Sequence, residues 1–81
     1  MPIPMRTKRT SRTKLNRLIG QRLRIQRMSR NLTLRQLSVR TGLTASQLSQ
    51  VELGKNAASI WALARICNAL GLPLSELLTG M

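Results

Sequence analysis

The sequence predicts an all-α fold of five helices, and three observations carry that expectation. Apolar residues recur at three- and four-residue steps between Leu15 and Leu70. Thr33, Thr44 and Ser59 stand where helix N-caps are needed, and Gly42, Gly54 and Gly71 where helices should stop. No stretch alternates Val, Ile or Thr in the way a strand would. Eighty-one residues make one compact domain. With no Phe or Tyr and a single Trp, its core must be aliphatic.

The elements follow in order. Residues 1–13, MPIPMRTKRTSRT, carry two prolines, a basic run and no apolar period, which predicts a flexible basic arm ahead of a domain spanning 14–81. From Lys14 to about Ser29, Leu15, Ile19 and Leu23 form an amphipathic stripe that Ile25 and Met28 extend. Asn31 marks the break. Thr33 caps a short second helix holding Leu34 and Leu37, which stops near Thr41. Gly42 then supplies the left-handed residue of a C-cap. Leu43 fills the turn and Thr44 caps a third helix, with Leu48 and Val51 inward and Gly54 at its end. In the fourth helix, opened by Ser59, the inward positions are Ile60, Leu63, Ile66 or Cys67, and Leu70. Gly71 closes it, and Pro73 and Ser75 open a last short element over Glu76–Leu78.

Charge narrows the function. Fourteen Lys and Arg against two acids give a formal net charge of +12. Lys55 and Arg65 match Glu52 and Glu76, so the whole excess lies in residues 1–40. So cationic a chain suits a polyanionic partner, nucleic acid or an anionic membrane surface. There is no His, no Asp, no Tyr and one Cys. Acid–base pairs, catalytic triads and metal clusters therefore cannot be assembled within one chain, so neither an enzyme nor a metal or other cofactor is expected. Cys67 has no disulfide partner and reads as a small apolar group on a helix. No apolar run approaches the length of a membrane span, and no secretory signal is present. The acid-free N-terminus has the composition of an organellar transit peptide, but Pro2 and Pro4 spoil its amphipathic helix. A cytoplasmic protein is expected.

The segments IGQRLRIQRM (19–28), LTLRQLSVRTGLTASQLSQVELGK (32–55) and SIWALARICNALGLPLSELL (59–78) together resemble the Cro/repressor-type helix-turn-helix family, also called the XRE family. Each segment alone is weakly diagnostic; their joint order and spacing over about sixty residues is specific. The resemblance implies a phage-repressor-like domain that binds double-stranded DNA and regulates transcription. It departs from the family at three positions. Ser38 stands where the family prefers Ala, tolerable if its hydroxyl bonds back to the preceding turn. Ala58 stands where Pro is frequent. Leu53 replaces a polar residue at the end of the third helix, which puts one polar DNA contact in doubt.

Winding the third helix at about 100° per residue, with Leu48, Val51 and Glu52 inward, turns Ser46, Gln50 and Leu53 outward and puts Gln47 and Ser49 on the flanks. A short polar face before a tight glycine end suits insertion into a major groove. The resemblance places Ala45, Ser46, Gln47, Ser49 and Gln50 nearest the base edges. The amide of Gln50 donates and accepts in one plane and so matches adenine, for about 1–3 kcal/mol of discrimination. Phosphate contacts are expected at the start of the second helix, from Thr33, Arg35 and, more weakly, Gln36. By resemblance, Lys55 and Asn56 form a second backbone clamp. Arg6, Lys8, Arg9, Arg12 and Lys14 on the arm would add affinity with little sequence information. The family pattern also pairs Arg27 with Glu52 as a buried ion pair, Arg24 being the competitor. Trp61 lies off the inward stripe and is either an interface residue or a half-buried edge residue.

The expected protein is a homodimeric regulator, a repressor in preference to an activator, with helix 44–53 in the major groove of a palindromic operator whose half-sites lie about 10 bp apart. It either acts alone or forms the N-terminal part of a longer regulator with a C-terminal ligand-binding domain. Two other classes compete. An antitoxin-type interaction module would need a further apolar face, hinted at only by Trp61 and Leu53. A non-specific binder of RNA or membrane would need more aromatic residues for single-stranded RNA than the one Trp.

Overall fold

The computed structural model describes residues 5–80, with side chains placed from Arg12 onward. Five helices follow one another: α1 (Met5–Ser29), α2 (Leu34–Thr41), α3 (Ala45–Glu52), α4 (Ile60–Leu70) and α5 (Leu74–Leu77). No strand occurs among the described residues, so the all-α expectation is met.

Helix α1 begins at Met5 and not at Lys14. The segment expected as a flexible arm over 1–13 is therefore helical from Met5 onward, while positions 1–4 lie outside the described residues. Between Met5 and Thr13 there is no Pro or Gly, and Met, Arg and Lys are good helix formers. A missing apolar period shows only that these turns have nothing to bury. The inner face of α1 also differs from the expected stripe. Leu23 is buried and Ile19 packs on the core, but Leu15, Ile25 and Met28 are exposed. Ile25 and Met28 follow Leu23 by two and five positions, which turns them roughly 160° and 140° away from it. Asn31, with φ of 55°, ends the first helical segment in the left-handed region.

Helices α2 and α3 open on identical devices. Thr33 and Thr44 are N-caps, and each forms a reciprocal capping box with the Gln three residues on. In α4, capped by Ser59, the buried residues are Leu63, Ile66, Cys67 and Leu70, so both of the alternatives Ile66 and Cys67 face inward. Ile60 does not: it is 69% exposed. As the first residue of α4 it sits where the chain arrives from the surface. The last helix runs Leu74–Leu77 and not Glu76–Leu78, because Pro73 serves as its N-cap. Leu77 then enters the core, and Leu78 is left at its edge. Arg22 ties α1 to the segment around α5, donating to the carbonyl oxygens of Leu77 (2.9 Å) and Thr79.

The core is one cluster built from all five helices, with Leu23, Leu37, Leu48, Ile66 and Leu77 fully enclosed. Burying each such side chain contributes about 1.5–3 kcal/mol.

Candidate nucleic-acid interface

Three features seat α3 in the domain. Leu48 is 1% exposed and plugs it into the core. At Gly20 of α1 the two helices approach so closely that a Cβ would overlap the carbonyl oxygens of Val51 and Glu52, so only glycine fits. Finally, Arg27 grips Glu52 with two parallel bonds, Nε to Oε2 at 2.7 Å and Nη2 to Oε1 at 3.0 Å. The third guanidinium nitrogen donates to the Leu32 carbonyl at 2.6 Å. Both side chains are largely withdrawn from water, at 12% and 7% exposure. The hydrogen bond to Glu52 raises the Arg27 pKa, in opposition to desolvation. Arg24, the competing partner, is exposed.

The turn before α3 is bonded as tightly. Gly42 adopts φ of 77° as the left-handed C-cap of α2, and its N–H reaches the Ser38 carbonyl at 2.9 Å. Thr41 is buried; its hydroxyl donates to the Leu37 carbonyl (2.9 Å) and accepts the Leu43 N–H (3.2 Å). Ser38 does not bond back into the preceding turn as expected. Its hydroxyl donates forward to the Leu43 carbonyl, because that oxygen lies across the turn with no helical partner of its own. Among the described residues, no buried side-chain polar atom lacks a partner.

This scaffold presents the residues singled out above. On α3, Ser46, Gln47 and Leu53 are exposed, whereas Ala45, Ser49 and Gln50 are half-buried. Gln50 is thus more covered by its neighbours than its outward place on the helix suggests. Gln47 carries an orientation that the sequence did not disclose. Its Oε1 accepts the Thr44 N–H at 2.8 Å, while the Thr44 hydroxyl accepts the Gln47 N–H at 3.0 Å. The side chain of Gln47 therefore shows its surroundings mainly an amide donor. Gln36 is polarised in the same way by Thr33, at 2.8 and 3.0 Å. Arg35, in the first turn of α2, is exposed, as are Lys55 and Asn56 after α3. Arg12 and Lys14 are exposed on α1, and the side chains of Arg6, Lys8 and Arg9 lie outside those described. Trp61 is 62% exposed and borders a shallow groove that Leu43, Gln47 and Val51 line from the α3 side.

Two residues of this framework escaped the sequence reading. Nothing in the pattern marks Gly20 as a contact point, since one glycine inside a helix carries no signal of its partner. The sequence shows Arg65 only as a charge that the acids offset; its bond to α2 is a tertiary fact. Cys67 is buried, and burial pushes its thiol pKa up, which suits a packing role. No cluster of potential metal ligands occurs among the described residues. No helix among them is long and apolar enough to cross a membrane.

Comparison with known families decides what this geometry is. A helix-turn-helix domain profile matches residues 18–79, which include the second half of α1, all of α2 to α5 and the turn between α2 and α3. The chain belongs to the helix-turn-helix family. Its helix-turn-helix unit is α2, the Gly42 turn and α3, as the Cro/repressor-type resemblance implied. Among relatives, the transcriptional regulator ClgR of Mycobacterium tuberculosis is 41% identical over 61 residues, covering 75% of this chain and 54% of that protein. An uncharacterized HTH-type transcriptional regulator, y4dL of Sinorhizobium fredii, is 38% identical over 56 residues, covering 69% of this chain and 29% of that protein. The chain thus spans about half the length, or less, of these curated relatives. Among solved structures, the clp gene regulator ClgR from C. glutamicum superposes with a TM-score of 0.76 at 33% identity, covering 79% of this chain and 83% of that one. The restriction-modification controller protein C.AhdI from Aeromonas hydrophila gives 0.74 at 31% identity, covering 76% and 94%.

Proposed function

We propose that this chain is a sequence-specific DNA-binding transcription regulator that inserts helix 44–53 into the major groove of its operator. The observation that carries the reading is the seating of α3: a short, uncharged polar face is held rigidly by Leu48, Gly20 and the Arg27–Glu52 pair. Exposed positive side chains precede and follow α3 in the chain, Arg35 in the first turn of α2 and Lys55 just after Gly54. The relatives that share the fold are named as transcriptional regulators and a restriction-modification controller, which supports the same reading.

The roles divide by chemistry. Ser46 and Gln50, with Ala45, Gln47 and Ser49 beside them, meet base edges. The first N–H groups of α2, with Thr33, Arg35 and the Gln36 amide, hold one phosphate segment; Lys55 and Asn56 hold another. The basic start of α1 (Arg6, Lys8, Arg9, Arg12 and Lys14) adds affinity that falls with salt. Two copies bind a palindromic site, and exposed Trp61 contributes to their contact. A bound dimer represses by excluding polymerase. The chemistry is binding alone, with no catalytic step and no cofactor.

Selection from a random duplex library, followed by footprinting of the enriched sequence at near-physiological salt, tests this. The expected result is a motif with two related half-sites, against which shuffled DNA and RNA compete poorly. Enrichment of no motif, or equal competition by RNA, would leave a non-specific nucleic-acid binder in its place. A second chain that co-purifies in fixed proportion would favour the antitoxin-type interaction module.

A further inference from the structure

Helix α3 is pinned unequally along its length. Its last residues rest on Gly20 and on the Arg27–Glu52 pair, both supplied by α1. Among the described residues, Ala45 to Gln47 at its start make no hydrogen bond or ion pair with α1, and the turn from α2 places them. What holds that turn therefore holds the base-reading end of α3.

Within the turn, the Thr41 hydroxyl takes the Leu43 N–H and the Ser38 hydroxyl donates to the Leu43 carbonyl. A further contact comes from α4. The Nε of Arg65 donates to the Thr41 carbonyl at 2.7 Å. That carbonyl belongs to the last residue of α2, so it has no partner further along the helix. The same guanidinium reaches the turn glycine, since a Cβ on Gly42 would lie 3.3 Å from Arg65 Nη2. One helical turn earlier on α4, the Trp61 ring lies 4.7 Å from the Arg65 Cζ. Face-on contact at that distance is attractive and restricts the guanidinium's rotamers. Trp61 is too exposed to be a core residue. Stacking on Arg65 gives the ring a definite task that core packing does not.

We propose that Arg65, oriented by Trp61, is a positioning residue that clamps the α2–α3 turn and so sets where the N-terminal end of the recognition helix meets the bases. The DNA half of this inference rests on the function proposed above; the clamp itself does not. Any shift at Thr41–Leu43 passes directly to Thr44, whose capping box fixes the first turn of α3. Loss of the clamp would thus impair base reading while sparing the phosphate contacts of Arg35 and Lys55, which lie away from the turn, at the far end of α2 and beyond the end of α3.

Two measurements on the whole chain test it, with Arg65→Ala, Arg65→Lys, Trp61→Ala and Trp61→Phe. The first needs no DNA: amide hydrogen exchange at Gly42, Leu43 and Thr44, compared with Ile66 and Leu70 in the core. Arg65→Ala and Trp61→Ala should speed exchange at the turn about tenfold and leave the core amides unchanged. Trp61→Phe, which keeps a ring under the guanidinium, should restore most of the protection. Arg65→Lys, which keeps the charge without the planar fork, should not. The second is the ratio of affinities for the selected operator and for shuffled duplex, which Arg65→Ala should lower about tenfold with the salt dependence unaltered. Unchanged turn exchange in both alanine variants would overturn the clamp. So would a uniform rise in exchange across turn and core, which marks general loosening. If Arg65→Ala fails to fold, Trp61→Ala decides, since it leaves Arg65 in place. If the wild-type chain prefers no sequence, the proposed function fails, and the exchange data still decide the clamp.

Discussion

Helices α2 and α3 are built alike and present different surfaces. Each has eight residues, a Thr N-cap, a Gln completing the capping box, and a Leu at its fourth position that is 1% exposed. The difference lies in what surrounds that frame. Helix α2 carries Arg35 and Arg40 outward, whereas the only charge on α3 is Glu52, turned inward and paired. The frame makes a helix start and sink into the core; the outward residues decide what it can touch. On this reading the charged helix holds the phosphate backbone, and the neutral one reads bases.

The comparison can be broken first at the ion pair, for which α2 has no equivalent. Glu52→Ala leaves Arg27, largely withdrawn from water, without its carboxylate and should destabilise the fold by about 3–5 kcal/mol in urea denaturation. A loss below about 1 kcal/mol would mean that the pair is effectively solvated. The two plugs should be nearly equivalent: Leu37→Ala and Leu48→Ala should each cost about 2–5 kcal/mol in the same assay, and a large inequality would show that one helix is packed less well. Gly20→Ala should cost about 1–3 kcal/mol, since its methyl meets the α3 backbone, which cannot rotate aside. The smallest effects belong to the caps. Thr33→Ala and Thr44→Ala should each cost about 1 kcal/mol in thermal or urea unfolding, equal in stability but different in DNA binding. Losing the cap of α2 should weaken all sequences alike; losing that of α3 should alter sequence preference.

The equalities in this comparison were legible in the sequence, because they are local. Thr33, Thr44, Gly42, Gly54 and Gly71 announce starts and stops through chemistry that acts over three or four residues; that Gln36 and Gln47 complete the capping boxes is a finding of the structure, since the sequence assigns both to DNA contacts. Arg27 and Glu52 were paired in advance by the family pattern, not by spacing. The misreadings share a cause. Hydrophobicity alone puts Ile25, Met28 and Ile60 in the inward stripes, but whether an apolar residue is buried depends on which neighbour reaches it. Likewise, the basic segment before Lys14 looked irregular for want of an apolar face, although a helix needs none to form. Gly20 acts across 31 and 32 positions of chain, on Val51 and Glu52, and Arg65 across 24, on Thr41, and no local pattern encodes that reach.

The division of labour between the two helices is tested most directly by measuring Gln50→Ala and Arg35→Ala on the selected operator, on its single-base variants and across a salt series. Gln50→Ala should relax preference at one or two positions, flattening a discrimination of about 1–3 kcal/mol, with the salt slope unchanged. Arg35→Ala should weaken every sequence equally and reduce that slope by about one. If instead Gln50→Ala leaves every base preference intact while Arg35→Ala removes one, the face of α3 does not read the operator.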